Sequence, residues 1–207
     1  MGTLQALSGG APASLALLAV IVIASLVGLF AAPSMIERNL LRPYRLVRRH
    51  QYATLVTSGF LHADLAHLVF NAFTFWAFAF GLERVIGTPT FLALYFVGLF
   101  VSDAGTWLKH RHQPDYQSLG ASGAILAVLF ASIVYTPSAS IFILPIPFPI
   151  PAPLFAFAYL GYTYYAARQA RGRINHDAHL AGALAGAAFV AFTDPAALVR
   201  AWHSVVG

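Results

Sequence analysis

The stretch LGASGAILAVLF, residues 119–130, places one serine among small residues at the start of a long apolar run. The run belongs to a larger segment, residues 116–167, that contains no charged side chain, and residues 1–36 contain none either. A transmembrane helix needs about 20 predominantly apolar residues. Each of these two segments is therefore long enough for at least one membrane span.

The composition is that of a membrane protein. Of the 207 residues, 59% are hydrophobic and only 9% are charged, and the mean hydropathy is +0.72, whereas about a quarter of the residues in a soluble domain are charged. The net charge of +5 comes from basic residues that flank apolar segments, so we expect contacts with membrane lipid rather than nucleic acid. The chain contains no cysteine, which excludes disulfides, thiolate nucleophiles and cysteine-ligated metals.

Six apolar segments predict an all-α membrane protein, folded as a six-transmembrane-helix bundle. They are residues 12–32, 60–82, 89–108, 121–135, 153–167 and 178–192. The first segment lacks the basic start of a secretory signal and is too long for one, so we interpret it as a retained helix. We expect one domain over residues 1–207, with no tandem repeat and no soluble appendage.

Two connecting segments differ in composition from the spans. Residues 34–59 carry five arginines among apolar residues such as Leu40 and Leu46, a pattern that favours short helices lying in the membrane interface; a disordered basic loop is the alternative. The segment LPIPFPIPAP, residues 144–153, has proline at every second position from 145 to 153. Because proline breaks helices, we expect an extended connector between the fourth and fifth spans.

Polar side chains in the second apolar segment are costly in a membrane and need a reason. His67 and Asn71 are four residues apart and therefore share one helical face. His62 and Asp64 lie near the start of the segment, where we expect water to solvate them. Asn71 lies nearly three turns into the segment, where its amide requires either a hydrogen-bond partner or a role in a reaction.

The fourth and sixth segments both begin with small residues. The neighbours of Ser122 are Gly120, Ala121, Gly123 and Ala124. In the sixth segment, one narrow helical face contains His179, Gly182, Ala183 and Gly186. Small residues allow two helices to approach closely. If these two faces pack together, Ser122 and His179 meet at the same membrane depth, whereas His176 is expected in the preceding loop, solvated.

A serine beside a histidine can carry out acyl transfer. An imidazole has an unperturbed pKa near 6.5 and suits the role of general base. The side chains of His67 and Asn71 and the backbone N–H of Ser122 can donate hydrogen bonds to an oxyanion. The start of a helix also favours negative charge near the Ser122 hydroxyl.

Two other classes of protein remain open at this point. Imidazole and carboxylate are zinc ligands, so a metal-dependent membrane protein is one alternative. Its ligands would be His62, His67, His176 and His179 with Asp64 or Asp177. However, HExxH is absent and the histidine spacing matches no common zinc pattern, so we expect no metal and no cofactor. A small transporter is the other alternative, because lone histidines and broken helices can line ion paths.

Several motifs resemble those of the rhomboid intramembrane serine proteases. They are HADLAHLVFNAF (62–73), GLERVIG (81–87), GASGAI (120–125) and HDAHLAGALAG (176–186). With six spans in the same order, the resemblance covers nearly the whole chain. It implies a six-span protein of the cell membrane that cleaves transmembrane segments of other membrane proteins, with the fifth span or its adjoining loop gating the substrate.

The resemblance also assigns roles to individual residues. It implies that Ser122 is the nucleophile and His179 the base and later acid, in a dyad without a third carboxylate. His67 and Asn71 would line the oxyanion hole, and Gly182 would allow the fourth and sixth spans to approach closely.

Three positions depart from the family's common pattern. The first loop reads QYATLVT (51–57), with Tyr52 where many members have Trp-Arg. Leu126 stands where many have an aromatic residue that packs beneath the histidine ring, and Ser58 stands where some have histidine. None of these departures removes a chemical role, so we expect an active enzyme. The alternative is a catalytically silent relative that binds transmembrane clients.

Charge and family give opposite membrane orientations. The family places its amino terminus in the cytoplasm and its catalytic mouth outside. Ten lysines and arginines lie in the first, third and fifth loops, against Arg84 and Arg200 on the other side, so the positive-inside rule favours the reverse. We expect the family orientation, because arginines in interface helices and near the site can serve structural roles. The sequence does not indicate the substrate or the oligomeric state.

Overall fold

The computed structural model describes residues 9–143, 148–169 and 174–206. The first helix, α1, spans Pro12–Leu26 and continues as a π-helical turn, Val27–Ala31. Proline at the first position of α1 suits a helix start, where its missing N–H has no intrahelical partner to lose. This helix corresponds to the first predicted segment.

The segment that follows α1 consists of short helices. They are α2 (Pro33–Asn39), α3 (Pro43–Arg48), α4 (Thr54–Thr57) and a 3₁₀ turn (Ser58–Phe60). Two of the three short α-helices begin with proline, which fixes the first backbone angle in the helical range. The position of this segment in the membrane interface stays a prediction.

The long helices come next along the chain. They are α5 (Leu65–Ile86), α6 (Thr88–His110), α7 (Ser122–Tyr135), α8 (Ala152–Gln169), α9 (His176–Thr193) and α10 (Pro195–Val206). Helix α5 begins five residues later than the predicted second span, because Asp64 caps it by accepting a hydrogen bond from the backbone N–H of His67 at 2.8 Å. Helix α10 was not predicted and lies at 109° to α9.

Three helices of the described residues are long and apolar enough to cross a membrane: Pro12–Ala31, Leu65–Ile86 and Thr88–His110. Helices α9 and α10 qualify only as a pair, interrupted by their bend, so the number rises to four at most. Helix α7 is apolar but has only 14 residues, fewer than the about 20 that a span needs. Each of the six predicted segments corresponds to a helix, and six membrane crossings stay a prediction.

Helix α7 forms the centre of the molecule. Helices α5, α6 and α9 all pack against it, and its middle residues Ala127 and Val128 are completely buried. Beside it, the rings of Phe75 and Tyr95 pack edge to face with their centroids 5.8 Å apart, a favoured aromatic geometry. A polar residue at the first turn of α7 is therefore held by the most enclosed helix of the protein.

Glu83 of the GLERVIG motif joins three helices. Its carboxylate accepts hydrogen bonds from the backbone N–H groups of Ala13 (3.0 Å) and Ser14 (2.7 Å) at the start of α1. It also accepts one from the hydroxyl of Thr88 at the start of α6, at 2.7 Å. Glu83 is 1% exposed, and a carboxylate at a helix start is stabilised by the free N–H groups there.

The proline-rich connector adds a small β element to the predicted all-α fold. Strands β1 (Ser140–Ile141) and β2 (Ile150–Pro151) pair in antiparallel orientation and lead directly into α8. The extended backbone that the prolines impose is compatible with strand pairing. The predicted connector's Pro145 and Pro147 lie outside the described residues.

Candidate active site

Ser122 is the first residue of α7 and is partly exposed. Gly120, two residues earlier, has a φ of +126°, a backbone conformation that favours glycine. The ring of His67 lies against Gly120, so that a Cβ there would be 2.7 Å from His67 Cε1. The backbone N–H of Gly120 donates to the carbonyl oxygen of Ser58 at 3.0 Å. The loop before Ser122 is thus fixed against the first turn of α5.

Glycines bring α7 and α9 into backbone contact. A Cβ at Gly182 would collide with the Gly123 carbonyl, and one at Gly186 would collide with the Ala127 carbonyl. A Cβ at Gly123 would lie 3.4 Å from the carbonyl oxygen of Ala178. The predicted close approach of the two small-residue faces is therefore present along two helical turns.

The contact between α7 and α9 at Gly123, Gly182 and Gly186 is called the seam below. It brings the chain neighbours of Ser122 and His179 together. Gly123 directly follows Ser122, and Ala178 directly precedes His179. His179 also lies within one helical turn of Gly182. A Cβ at Gly182 would clash with the backbone of Gly123. Within the described residues, no hydrogen bond joins Ser122 to His179. Ser122 and His179 are thus the chain neighbours of residues that meet between the two helices, and both are partly exposed.

His179 has a hydrogen-bond partner that the sequence did not indicate. Its Nδ1 lies 3.0 Å from the hydroxyl oxygen of Tyr159 on α8. The ring of His176 packs edge-on to that of His179, with centroids 6.1 Å apart. His176 is the first residue of α9 and partly buried, so the expectation that it lies in a solvated loop is wrong.

Asn175 fixes the start of α9. Its side-chain oxygen accepts from the backbone N–H of Ala178 at 3.0 Å, as an N-cap does. Its amide nitrogen donates to Thr106 on α6 and to Ser118 in the loop before α7, both at 2.9 Å. Sequence reasoning missed this residue, although an asparagine directly before HDAH is a recognisable N-cap signal.

An ion-pair cluster ties the end of α6 to the start of α9. The carboxylate of Asp177 lies 2.7 Å from Lys109 Nζ and 2.9 Å from His110 Nε2. The ring of His110 stacks on Tyr116, with centroids 3.6 Å apart and planes 7° apart. Asp177 and Lys109 thus anchor the helix that carries His179, and the loop preceding Ser122 joins the same cluster through Tyr116.

His67 and Asn71, the two predicted oxyanion donors, lie on one face of α5. The Asn71 amide nitrogen donates to the backbone carbonyl of His67 at 2.9 Å. An amide nitrogen carries two N–H groups, and within the part of the chain that the structure describes the second N–H of Asn71 is free. The contact between His67 and Gly120 puts the same face beside the loop that leads into Ser122.

His62 and Asp64 differ in their surroundings. Asp64 is exposed, as expected, whereas His62 is fully buried, so the expectation that water solvates it is wrong. The Nδ1 of His62 lies 2.9 Å from the Ser25 hydroxyl of α1, and its ring packs edge-on to His67 at 4.8 Å. Burial, with a smaller contribution from His67, lowers the pKa of His62 to about 3, so this ring is neutral at pH 7.

The histidines and carboxylates are not gathered as a metal site would require. Within residues 9–143, 148–169 and 174–206, no group of three or more His, Asp or Glu side chains could hold one ion. Asp177 is engaged by a lysine and a histidine, and Asp64 by the backbone of α5.

Leu126 stands at the position where the family often has an aromatic residue. It is 7% exposed and belongs to a cluster with Phe130 of α7 and Ala183 of α9. Leu126 is therefore part of the apolar packing between these two helices.

Known proteins with similar sequences contain the same kind of domain. The Rhomboid domain family model matches residues 49–195. The human presenilin-associated rhomboid-like protein, mitochondrial, is 28% identical over 171 residues, which cover 73% of this chain and 42% of that protein. Its zebrafish (Danio rerio) relative, presenilin-associated rhomboid-like protein A, mitochondrial, is 29% identical, with 73% and 42% covered.

A bacterial relative is similar over a shorter stretch. Rhomboid protease GluP of Bacillus subtilis is 35% identical over 86 residues, 42% of this chain and 16% of that protein. The chain thus spans less than half the length of these curated relatives. The family match, however, includes the loop before Ser122, the seam between α7 and α9, and the His67–Asn71 face. On this match, which covers more than half of its residues, the chain belongs to the rhomboid family.

Proposed function

We propose that the protein is an intramembrane serine endopeptidase that cleaves transmembrane segments of membrane proteins with a dyad of Ser122 and His179. The observation that carries the proposal is the seam of Gly123, Gly182 and Gly186, where backbones rather than side chains meet. Tight packing alone would explain the glycines. It would not explain why Ser122 at the start of α7 and His179 in the first turn of α9 both stay partly exposed beside the seam.

The chemistry follows from these positions. His179 removes the proton from the Ser122 hydroxyl, whose oxygen attacks the carbonyl carbon of the scissile peptide bond. The resulting oxyanion accepts hydrogen bonds from the free N–H of Asn71, from His67 and from the backbone N–H of Ser122. His179 then gives the proton to the leaving amine, and water, activated by the same ring, hydrolyses the acyl-enzyme.

The length of α7 supports a reaction below the membrane surface. A helix of 14 residues rises about 21 Å, while the hydrocarbon core is about 30 Å thick. If the carboxyl end of α7 reaches one surface, Ser122 at its other end lies roughly 9 Å beneath the opposite one. A short central helix therefore suits a nucleophile that must meet a substrate within the bilayer and still receive water.

We further propose that the chain forms a single polytopic domain with six membrane crossings, in which α7, α8 and α9 cross the membrane in addition to α1, α5 and α6. Residues 34–59 would lie in the membrane interface. The family orientation and the cell membrane remain our expectations, although the names of the human and zebrafish relatives place those two proteins in mitochondria.

Substrates should be membrane helices that unwind easily. A peptide bond within a regular helix is shielded by its own hydrogen bonding, and glycine in particular weakens a helix. The small side chains of Gly, Ala or Ser near the scissile bond would also let the substrate backbone approach Ser122. The name of the relative GluP, a rhomboid protease, supports peptide hydrolysis as the reaction class.

A labelling experiment tests this proposal. The purified protein in lipid is treated with a serine-directed fluorophosphonate, with and without a chelator, and the modified residue is identified by peptide mass spectrometry. We expect covalent modification of Ser122 that the chelator does not change. Loss of labelling with chelator would favour metal chemistry. Absence of labelling from protein that still binds transmembrane clients would favour the catalytically silent alternative.

A further inference from the structure

The ring of His179 needs support from outside its own helix. In the proposed dyad no carboxylate orients the base, and within the described residues the Tyr159 hydroxyl is the one hydrogen-bond partner of the ring, at 3.0 Å from Nδ1. The aromatic residue that often lies beneath the ring in the family is Leu126 here. Something else must therefore hold the imidazole against rotation.

Tyr159 is itself held firmly. Its ring stacks on Phe155, one turn earlier on α8, with centroids 5.5 Å apart. On its other side it packs against Phe130 of α7, at 5.9 Å. The hydroxyl that meets His179 is therefore fixed by contacts with α7 and α8, the helices on both sides of the histidine.

The proton arrangement follows from the task of a base. To accept the Ser122 proton, the imidazole must present one nitrogen without hydrogen, and the other nitrogen then carries N–H. Because Nδ1 faces the Tyr159 oxygen, Nδ1–H donates to it and Nε2 is left for Ser122. The Tyr159 O–H is then free to donate in turn. One turn further along α8, the buried Oγ1 of Thr163 lacks a hydrogen-bond partner within the described residues and can accept it.

We propose that Tyr159 is the positioning residue of the base: its hydroxyl accepts a hydrogen bond from His179 Nδ1–H and so fixes the tautomer and the ring orientation that the dyad requires. This inference rests on the proposed protease function. It assigns to a tyrosine on α8 the work that an aromatic residue at position 126 performs by packing in other members of the family.

The test replaces Tyr159 with phenylalanine, which keeps the ring and its packing on Phe130 and Phe155. We expect kcat for a transmembrane substrate to fall about 10–100-fold with KM nearly unchanged, since a hydrogen bond to a charged group accounts for a factor of this size. Fluorophosphonate labelling of Ser122 should slow in parallel, while the melting temperature stays close to that of the parent. The matched control is Tyr165→Phe, an exposed tyrosine of the same helix, which should leave kcat unchanged.

A second measurement separates this inference from the protease function. In protein labelled with ¹⁵N-histidine, the His179 signal is identified by its absence from His179→Gln, and its tautomer is read from the nitrogen shifts. We expect Nδ1–H in the parent and a loss of that preference in Tyr159→Phe. Parent protein that neither cleaves nor labels would refute the proposed function while the tautomer still reports on Tyr159. If the parent is active, either of two results for Tyr159→Phe would overturn the inference. One is an unchanged kcat. The other is a lower kcat that is accompanied by a lower melting temperature and by no change of the His179 tautomer.

Discussion

Burial, hydrogen bonds and ring contacts distinguish the histidines His62, His176 and His179. His62 is buried against Ser25, and its lowered pKa keeps it neutral. His176 starts α9 with its ring against Tyr162. His179 is within hydrogen-bonding distance of the Tyr159 hydroxyl. It directly follows Ala178, whose carbonyl oxygen faces Gly123. Of these three rings, that of His179 is the one that we propose as the base.

The two histidines of HDAH should differ sharply when each is replaced by alanine. We expect His179→Ala to lose at least about 10³-fold in kcat, as removal of a dyad base does, whereas His176→Ala keeps most of its activity. Cleavage of a transmembrane substrate by both variants in lipid, at matched amounts of folded protein, makes the comparison. The reverse order would show that the base was chosen wrongly and that α9 is rotated relative to α7.

Asn71 distinguishes a catalytic amide from a structural one. If its free N–H donates to the oxyanion, Asn71→Ala should lower turnover by about 10²–10³-fold with substrate binding nearly constant. If the amide serves only its bond to the His67 carbonyl and helix packing, the variant should lose about 1 kcal/mol or less of stability. Turnover and thermal unfolding are measured on one preparation. Normal specific activity with reduced stability would refute the oxyanion role.

At this scale the sequence predicts some residues and not others. Ser122 and His179 could be chosen as candidates because both stand near helix starts among small residues. Tyr159 could not, because α8 carries four tyrosines and their spacing does not reveal which one faces His179. Asn175 could have been recognised as the N-cap of α9. Its bonds to Thr106 and Ser118 could not have been predicted, because only the fold brings these distant residues together.

Among the helices, the contact between α7 and α9 decides the geometry of the site. Two glycines of α9, Gly182 and Gly186, each meet a carbonyl of α7 where no Cβ fits. The start of α9 is fixed independently, by the Asn175 cap and by the pair of Asp177 with Lys109. The seam sets the distance between α7 and α9. The polar contacts at the start of α9 fix the position of His179 along the direction of the helix axis.

A single methyl group should disturb this seam. We expect Gly182→Ala to lower the free energy of unfolding by about 1–3 kcal/mol, because overpacking against a backbone carbonyl cannot be relieved by a side-chain movement. The matched control is Gly81→Ala in α5, where a Cβ would meet nothing within 4 Å; it should leave stability unchanged or raise it by up to ~1 kcal/mol. Unfolding in mild detergent measures both. Equal stabilities for the two variants would contradict the close approach.

Glu83 should be structural rather than catalytic. Its removal in Glu83→Ala leaves the first N–H groups of α1 without their carboxylate, and we expect a loss of about 1.5–3 kcal/mol of stability. The folded fraction should cleave substrate at the normal rate, because Glu83 lies at the far end of α5 from His67. Thermal unfolding and activity per folded molecule are the two measurements. A variant of normal stability and low activity would overturn this assignment.

Element boundaries followed the apolar pattern only where that pattern was continuous. Helix α10 was missed because only continuous apolar segments were assigned to helices, whereas its apolar residues Leu198, Trp202 and Val205 recur at helical spacing among polar ones. Strand β2 lies within the segment predicted as extended chain, whereas β1 precedes that segment. Their pairing was not predicted, since it depends on a partner that local sequence does not specify. The start of α5 depends on the Asp64 cap rather than on hydrophobicity.

In the whole molecule, one buried central helix carries the proposed nucleophile at its end. Buried α7 holds Ser122 at its first residue, α5 lies on one side with His67 and Asn71, and α9 lies on another with His179. All three helices also contribute to the family match over residues 49–195. The sequence predicted this arrangement because small residues mark both sides of one interface, whereas six crossings cannot be deduced from helix lengths alone.

Replacement of Ser122 by alanine tests the central claim most directly. Parent and Ser122→Ala proteins are reconstituted in lipid with a panel of single-span membrane proteins, and cleavage is followed by the appearance of fragments. Alanine removes only the oxygen, so we expect the variant to keep its fold and melting temperature and to produce no fragments from any substrate that the parent cleaves. Fragments formed at the parent's rate by a clean Ser122→Ala preparation would contradict the account.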